Sequence, residues 1–129
     1  MKLLLDTHIW LWSLNHPARL GKRVLQELRN SQNELWLSPI STWEALTLNA
    51  KGRIQLPQNV ADWVKQATAP LLEAPITHAI TLASHNIPLP HRDPADRFLA
   101  ATAQVLRLTL VTADRDLLGL GEISTLANR

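Results

Sequence analysis

Leu3-Leu4-Leu5-Asp6, near the start of the chain, is a short apolar run that ends in an acid. The arrangement returns at Leu108-Thr109-Leu110-Val111, the best predicted strand, which Asp114 follows shortly afterwards. A third run, Leu35-Trp36-Leu37, comes a few residues before Glu44. Short, almost wholly apolar runs are typical of strands that are buried on both faces of a parallel sheet. Because the carboxyl ends of parallel strands meet at one edge, we expect these acids to converge there.

Predicted helices alternate with the strands. Apolar spacing, helix-start residues and breakers predict helices over residues 7–14, 18–30, 38–51, 60–68, 77–84 and 94–106, and further short strands over 71–74 and 122–126. Asp96 lies at the start of the helix that leads into the strand at 108–111. This alternation predicts an α/β fold with three α/β/α layers around a short central sheet that is mostly parallel.

The composition limits the protein to a single domain, residues 1–129, because 129 residues with 46% apolar content suffice for one core and not for two. The apolar runs are too short for a membrane span, and the N-terminal run is three residues long, so we expect a cytoplasmic protein. The formal net charge of +2 supports nucleic-acid binding only weakly. The absence of cysteine excludes disulfides, thiolate metal sites and cysteine nucleophiles.

Four acids form the candidate site: Asp6, Glu44, Asp96 and Asp114. A cluster of hard oxygen ligands without cysteine indicates Mg²⁺, with Mn²⁺ as its substitute, and phosphoryl chemistry. The five histidines show no pair at zinc-ligand spacing.

Each acid also has a purely structural interpretation, as a helix cap. Asp6, Asp93 and Asp114 each precede a predicted helix, where a carboxylate accepts hydrogen bonds from backbone N–H groups. Ser41-Thr42-Trp43-Glu44 has the pattern of a capping box, although Ser38-Pro39 is an alternative helix start. If the four acids meet at one edge of the sheet, one shared site explains their positions better than four separate caps do.

Four segments, taken in order, resemble the PIN-domain ribonucleases, and within them the VapC-like toxin group. The segments are Leu4-Leu5-Asp6-Thr7-His8, Ser38-Pro39-Ile40-Ser41-Thr42-Trp43-Glu44, His91-Arg92-Asp93-Pro94-Ala95-Asp96-Arg97-Phe98-Leu99-Ala100-Ala101 and Leu110-Val111-Thr112-Ala113-Asp114. The resemblance spans almost the whole chain, and it implies that Asp6, Glu44, Asp96 and Asp114 are the catalytic, metal-binding residues. Asp93 and Asp116 lie close by and are additional candidates.

The resemblance further implies an Mg²⁺- or Mn²⁺-dependent endoribonuclease, the toxin of a toxin–antitoxin pair. It also implies a homodimer and a cognate antitoxin protein as partner. Two alternatives remain open: a non-catalytic PIN-like module that binds RNA or protein, and a metal-dependent nuclease that acts on DNA.

Residues around the acids have supporting roles in this hypothesis. Thr7 and Thr112 are predicted to orient a carboxylate or a water molecule, and Arg97, His91 and Arg92 to bind substrate phosphates. Arg97 also fits a simple ion pair with its neighbour Asp96. Trp10 and Trp12 cannot share one helix face, so we expect one to be buried and the other to lie nearer the surface.

Overall fold

The structure, a computed structural model, describes residues 1–90 and 93–129. His91 and Arg92, both predicted to bind phosphate, lie outside the described residues. The strands are β1 (Lys2–Leu5), β2 (Glu34–Leu37), β3 (Leu72–Glu73), β4 (Thr109–Thr112) and β5 (Ser124–Ala127). The helices are α1 (Thr7–Asn15), α2 (Lys22–Arg29), α3 (Pro39–Ala50), α4 (Val60–Thr68), α5 (His78–Ser84), α6 (Pro94–Leu106) and α7 (Arg115–Leu118), with a 3₁₀ turn at Pro17–Arg19.

The sheet has the strand order β3-β2-β1-β4-β5, and every strand pair among the described residues is parallel. The predicted three-layer α/β/α fold is therefore confirmed, with a sheet that is parallel where a mostly parallel one was expected. Strand β1 lies at the centre, where Leu4 is paired with Trp36 on one side and with Leu110 on the other. This pairing places the ends of β1 and β4 side by side.

Two apolar cores cover the two faces of the sheet. Because side chains alternate along a strand, Leu4 points into one core and Leu3 and Leu5 into the other. The first core is completed mainly by α5 and α6, and the second mainly by α1 and α2. Trp10 is buried in the second core and donates its Nε1–H to the carbonyl of Ala67 at 3.2 Å, whereas Trp12 is only half-buried, as expected.

The predicted helix over residues 18–30 is interrupted, and here the sequence prediction was wrong. A 3₁₀ turn ends at Arg19, and α2 starts only at Lys22, after Gly21 as its N-cap. The N–H of Gly21 donates a hydrogen bond to Oδ1 of Asn128 at 2.6 Å, and the side-chain Nδ2–H of Asn128 donates one to the carbonyl of Arg19 at 3.1 Å. The break thus depends on a contact with residues more than 100 positions away, which helical periodicity cannot report.

The bounds of α4 and α6 match the predictions, and the other element bounds differ by at most two residues, which is within the usual uncertainty of helix and strand ends. Within the described part of the chain, no helix combines the length and the apolar character that crossing a lipid bilayer requires.

Gly21 provides a test of the contact that interrupts the helix. A Cβ at this position would lie 2.0 Å from the carbonyl oxygen of Arg129, so Gly21→Ala must displace the end of the chain. We expect a loss of about 1–3 kcal/mol in the free energy of unfolding, measured by urea denaturation. Gly121→Ala is the matched control, because a Cβ there meets nothing within 4 Å. Equal stability of the two variants would contradict this account.

Candidate active site

A cleft of about 310 Å³ opens beside the carboxyl ends of β1 and β4. Its lining residues are Asp6, His8, Ile9, Trp12, Glu44, Asp93, Asp96, Ala113 and Asp114. The structure therefore brings together all four acids of the predicted site, and Asp93 as a fifth. Asp116 is exposed and is not part of this lining, so the cleft does not include the other additional candidate.

Asp6 is held in place through both of its carboxylate oxygens. Oδ1 accepts the N–H of Thr7 at 2.7 Å, and Oδ2 accepts the hydroxyl of Thr112 at 2.6 Å. The Thr112 hydroxyl in turn accepts the N–H of Asp114 at 3.0 Å. Thr112 therefore orients a carboxylate, as predicted, and it connects the acid that follows β1 to the acid that follows β4.

Glu44 reaches the cleft from the second turn of α3, and it does not cap that helix. The cap is Ser38, whose Oγ accepts the N–H of Ile40 at 3.1 Å, with Pro39 in the first turn. The capping-box interpretation of Glu44 was therefore wrong, because the N-cap is Ser38, three residues before Ser41. The carboxylate of Glu44 instead accepts the hydroxyl of Thr7.

Ser41 is a supporting residue that the sequence analysis missed. It is fully buried, and its Oγ shares a hydrogen bond of 2.9 Å with the hydroxyl of Thr7. The sequence signal for this role was a serine at an inward-facing helix position, three residues before the candidate ligand Glu44.

The capping interpretations of Asp93 and Asp114 are correct, and both residues line the cleft as well. Asp93 accepts the N–H of Ala95 at 3.0 Å, and Asp114 accepts the N–H groups of Asp116 and Leu117 at 2.8 and 3.2 Å. A helix N-terminus carries partial positive charge, which stabilises a carboxylate there. The same acid can thus cap a helix and line the cleft.

The acids of the cleft disfavour one another's charge. Burial raises the pKa of Asp6 above its usual range, and burial together with the charges of Asp6 and Asp93 raises the pKa of Glu44. Burial, and next the charge of Asp93, raises the pKa of Asp96 to about 7, with smaller effects from the other acids. A divalent cation bound among these groups would relieve the repulsion.

The donor set of the cleft suits a hard divalent cation, because carboxylate oxygens are the ligands that Mg²⁺ and Mn²⁺ prefer. In residues 1–90 and 93–129, no three Asp, Glu or His side chains are grouped so as to hold a metal ion together. The cleft thus has the donor chemistry of a cation site, without a preformed group of three ligands among the described residues.

Comparison with known proteins assigns the family. A protein-family model described as PIN domain matches residues 3–123. The chain belongs to the PIN domain family. Ribonuclease VapC22 of Mycobacterium tuberculosis (strain ATCC 25618 / H37Rv) is 34% identical over 116 residues, which cover 89% of this chain and 88% of the relative.

Solved structures share the fold of this PIN domain. VapBC2 from Rickettsia felis, bound to a DNA fragment from their promoter, matches with a TM-score of 0.77 and 16% identity over 100% of both chains. VapBC-5 from Mycobacterium tuberculosis, a member of the VapBC family of toxin-antitoxin systems, matches with a TM-score of 0.63 and 16% identity over 99% of this chain and 98% of that one.

Arg97 of this PIN domain is not among the residues that line the cleft, and its role in phosphate binding stays a prediction. Its guanidinium donates to the carbonyls of Ile87 at 2.8 Å and of Ser84 and Leu89 at 3.4 Å. These carbonyls belong to the end of α5 and the loop that follows it. The side chain therefore ties the end of α5 to Ile87 and Leu89.

His8 and Trp12 line the cleft, and the sequence analysis assigned neither of them to the site. They lie one helical turn apart in α1, with ring centroids 5.7 Å apart and ring planes inclined by 28°. The guanidinium of Arg19 lies 4.3 Å from the centroid of the Trp12 ring. Helical spacing of an aromatic pair directly after Asp6 was the available signal.

The raised pKa values predict how the stability of the metal-free protein depends on pH. A carboxyl whose pKa is raised by folding binds more protons in the folded state, so its contribution to stability falls as pH rises between about 4 and 7. In EDTA, we expect Asp96→Asn to have a higher Tm than the wild type at pH 8, with the difference shrinking towards pH 5. Differential scanning calorimetry measures both. Asp116→Asn is the matched control outside the cleft, and a difference for Asp96→Asn that is constant with pH would contradict the prediction.

Arg97→Met tests the structural role of this arginine. Loss of its donors leaves three carbonyls of the loop without this partner, so we expect the free energy of unfolding to fall by about 1–3 kcal/mol in urea denaturation. Arg53→Met, at an exposed position, is the control. If Arg97→Met keeps its stability but binds RNA more weakly, Arg97 has the substrate-binding role that the sequence predicts.

Proposed function

We propose that this protein is an Mg²⁺-dependent endoribonuclease, with Mn²⁺ as a substitute, which hydrolyses phosphodiester bonds of RNA in the acidic cleft. Membership of the PIN domain family and the ribonuclease relative make it an enzyme of the nuclease class. The observation that carries the proposal is the convergence of five carboxylates in one cleft at the carboxyl edge of the sheet.

Asp6, Glu44, Asp96 and Asp114 are the residues that would hold the cation, with Asp93 beside them. A divalent cation in such a site supplies charge stabilisation and lowers the pKa of bound water.

The protein itself orients the carboxylates of the cleft, and their negative charge makes RNA binding depend on a cation. Thr112 and Thr7 hold the carboxylates of Asp6 and Glu44 at fixed angles through hydroxyl hydrogen bonds. Without a cation, five carboxylates repel the phosphates of RNA, so substrate binding at this cleft requires the metal. We therefore expect strict metal dependence and not a modest stimulation.

The chemistry of the site favours water over the ribose 2′-hydroxyl as the nucleophile. A cation held by these carboxylates would supply an activated water for attack at phosphorus, and this chemistry would not require the 2′-hydroxyl to be deprotonated. The products are then a 5′-phosphate and a 3′-hydroxyl.

The biological role that we propose is that of the toxin in a toxin–antitoxin pair, with a cognate antitoxin protein as partner, as a cytoplasmic homodimer. Support comes from the VapBC structures that share the fold along almost the whole chain, one of them described as part of a toxin–antitoxin system. The partner would have to control access to the acidic cleft, because that is where the proposed chemistry occurs.

Two other functions compete with this one. A non-catalytic PIN-like module for RNA or protein is disfavoured because all four acids of the predicted site line one cleft. A nuclease for DNA uses the same metal chemistry, which does not depend on the sugar, so substrate choice must be measured.

Purified protein should cleave labelled RNA in Mg²⁺ or Mn²⁺ and not in EDTA. We expect Asp96→Asn to lower the cleavage rate at least 100-fold, because it removes a proposed cation ligand. Asp116→Asn, two residues beyond Asp114 and outside the lining of the cleft, should retain activity. A gel assay with a panel of structured RNAs and single-stranded DNA measures cleavage, and digestion of the products by an exonuclease that requires a 5′-monophosphate identifies the 5′-phosphate.

Equal cleavage by the wild type and Asp96→Asn would identify a contaminating nuclease and contradict the proposal. A 2′,3′-cyclic phosphate product would refute water as the nucleophile. Cleavage of DNA in preference to RNA would support the competing substrate class.

A further inference from the structure

An aromatic and cationic stack stands at one wall of the acidic cleft. It consists of His8, Trp12 and Arg19: the His8 ring stacks on the Trp12 ring at 5.7 Å, and the Arg19 guanidinium lies 4.3 Å from the Trp12 centroid. His8 and Trp12 line the cleft together with Asp6 and Glu44. The stack is therefore part of the wall that a bound substrate would face.

The apolar core does not require His8. The buried residues of α1 are Thr7, Ile9, Trp10 and Leu11, whereas His8 is exposed. A structural role for its ring would be to shield Trp12, but Trp12 is itself only half-buried and already contacts Arg19. The exposed imidazole is thus available to a ligand in the cleft.

The stack is suited to a planar ligand. One face of the His8 ring lies against Trp12, and helical spacing fixes the two rings relative to each other. Arg19 restrains Trp12 through a cation–π contact. A platform that is already ordered loses little conformational entropy when a flat group stacks on it.

The charge of the cleft makes such a platform useful. The five carboxylates attract a cation and repel phosphates, so the cleft itself offers little affinity for the rest of an RNA chain. Stacking of a nucleobase on an aromatic ring is insensitive to that repulsion and tolerates any base. Only an unpaired base exposes a face to such a ring.

We propose that His8, backed by Trp12 and Arg19, is the platform on which an unpaired RNA base stacks next to the bond that is cleaved. The inference rests on RNA as the substrate, as proposed above, and what it adds is the group of side chains that holds an unpaired base at the wall of the cleft. His8 is a specificity-determining residue in this account, and it holds no cation.

Binding tests the platform separately from catalysis. All variants keep the acids of the cleft intact and are measured in Mg²⁺, and fluorescence anisotropy gives the Kd of an unstructured 12-nucleotide RNA whose phosphorothioate linkages resist hydrolysis. The same RNA annealed to its complement is the paired reference. We expect His8→Ala to weaken binding to the single strand roughly 5-fold or more, with little change for the duplex.

Replacement of the imidazole by a phenyl ring separates stacking from contacts made by the ring nitrogens. His8→Phe keeps a flat ring and loses the nitrogens, so it should bind the single strand as His8 does. His78→Ala is the matched control, since His78 is another exposed histidine in the first turn of a helix, α5. Thermal unfolding of each variant verifies that the fold is retained.

Three results would overturn the inference. If His8→Phe binds as weakly as His8→Ala, the nitrogens matter and stacking does not. If His8→Ala binds as tightly as the parent, His8 is not a platform. If it weakens single strand and duplex equally, it is a general contact and not a selector for unpaired bases. RNA cleavage by the wild type is measured in parallel. If the wild type binds single-stranded RNA through His8 but cleaves no RNA, the proposed nuclease is refuted and the platform is retained.

Discussion

The pairing of β1 with β4 ends in a hydrogen bond from the N–H of Asp6 to the carbonyl of Val111, at 3.0 Å, and the candidate site depends on it. This bond continues the parallel register beyond the last residue of β1 and places Asp6 beside the end of β4. Thr112 then bridges from β4 to the carboxylate of Asp6 and to the backbone of Asp114. A shift of register by one residue would turn Asp6 towards the opposite face of the sheet and dismantle the cleft.

The same geometry sets an electrostatic constraint on folding. The protein places five carboxylates around one cleft, and the pKa values of Asp6, Glu44 and Asp96 rise because charge there is costly. Helix N-termini at Asp93 and Asp114 and hydroxyl donors at Thr7 and Thr112 offset part of that cost. The remaining repulsion lowers the stability of the metal-free fold and favours cation binding, as expected where a site is kept for function at the expense of stability.

Capping and site chemistry turned out to be compatible roles for the same acids. Asp93 and Asp114 cap helices and also line the cleft, because a parallel α/β fold starts its helices at the edge where its strands end. Arg97 shows the opposite case, since its position next to Asp96 suggested a role in the site. Its side chain points to the carbonyls of Ser84, Ile87 and Leu89, because neighbours in a helix project in different directions.

The sequence by itself determined the alternation of strands and helices and the positions of the acids, because apolar runs and helix-start residues are local signals. It also carried the family resemblance that the comparisons confirm. Only the tertiary structure decided which face each side chain presents: that Glu44 meets Thr7 across two helices, that His8 and Trp12 form a wall of the cleft, and that residues 18–30 break at Gly21 against Asn128. Glu44 meets Thr7, and Gly21 meets Asn128, across large separations in the chain, and a local pattern contains no information about such contacts. The spacing of His8 and Trp12 predicts that they lie on one helix face, and only the packing of α1 decides that this face lines the cleft.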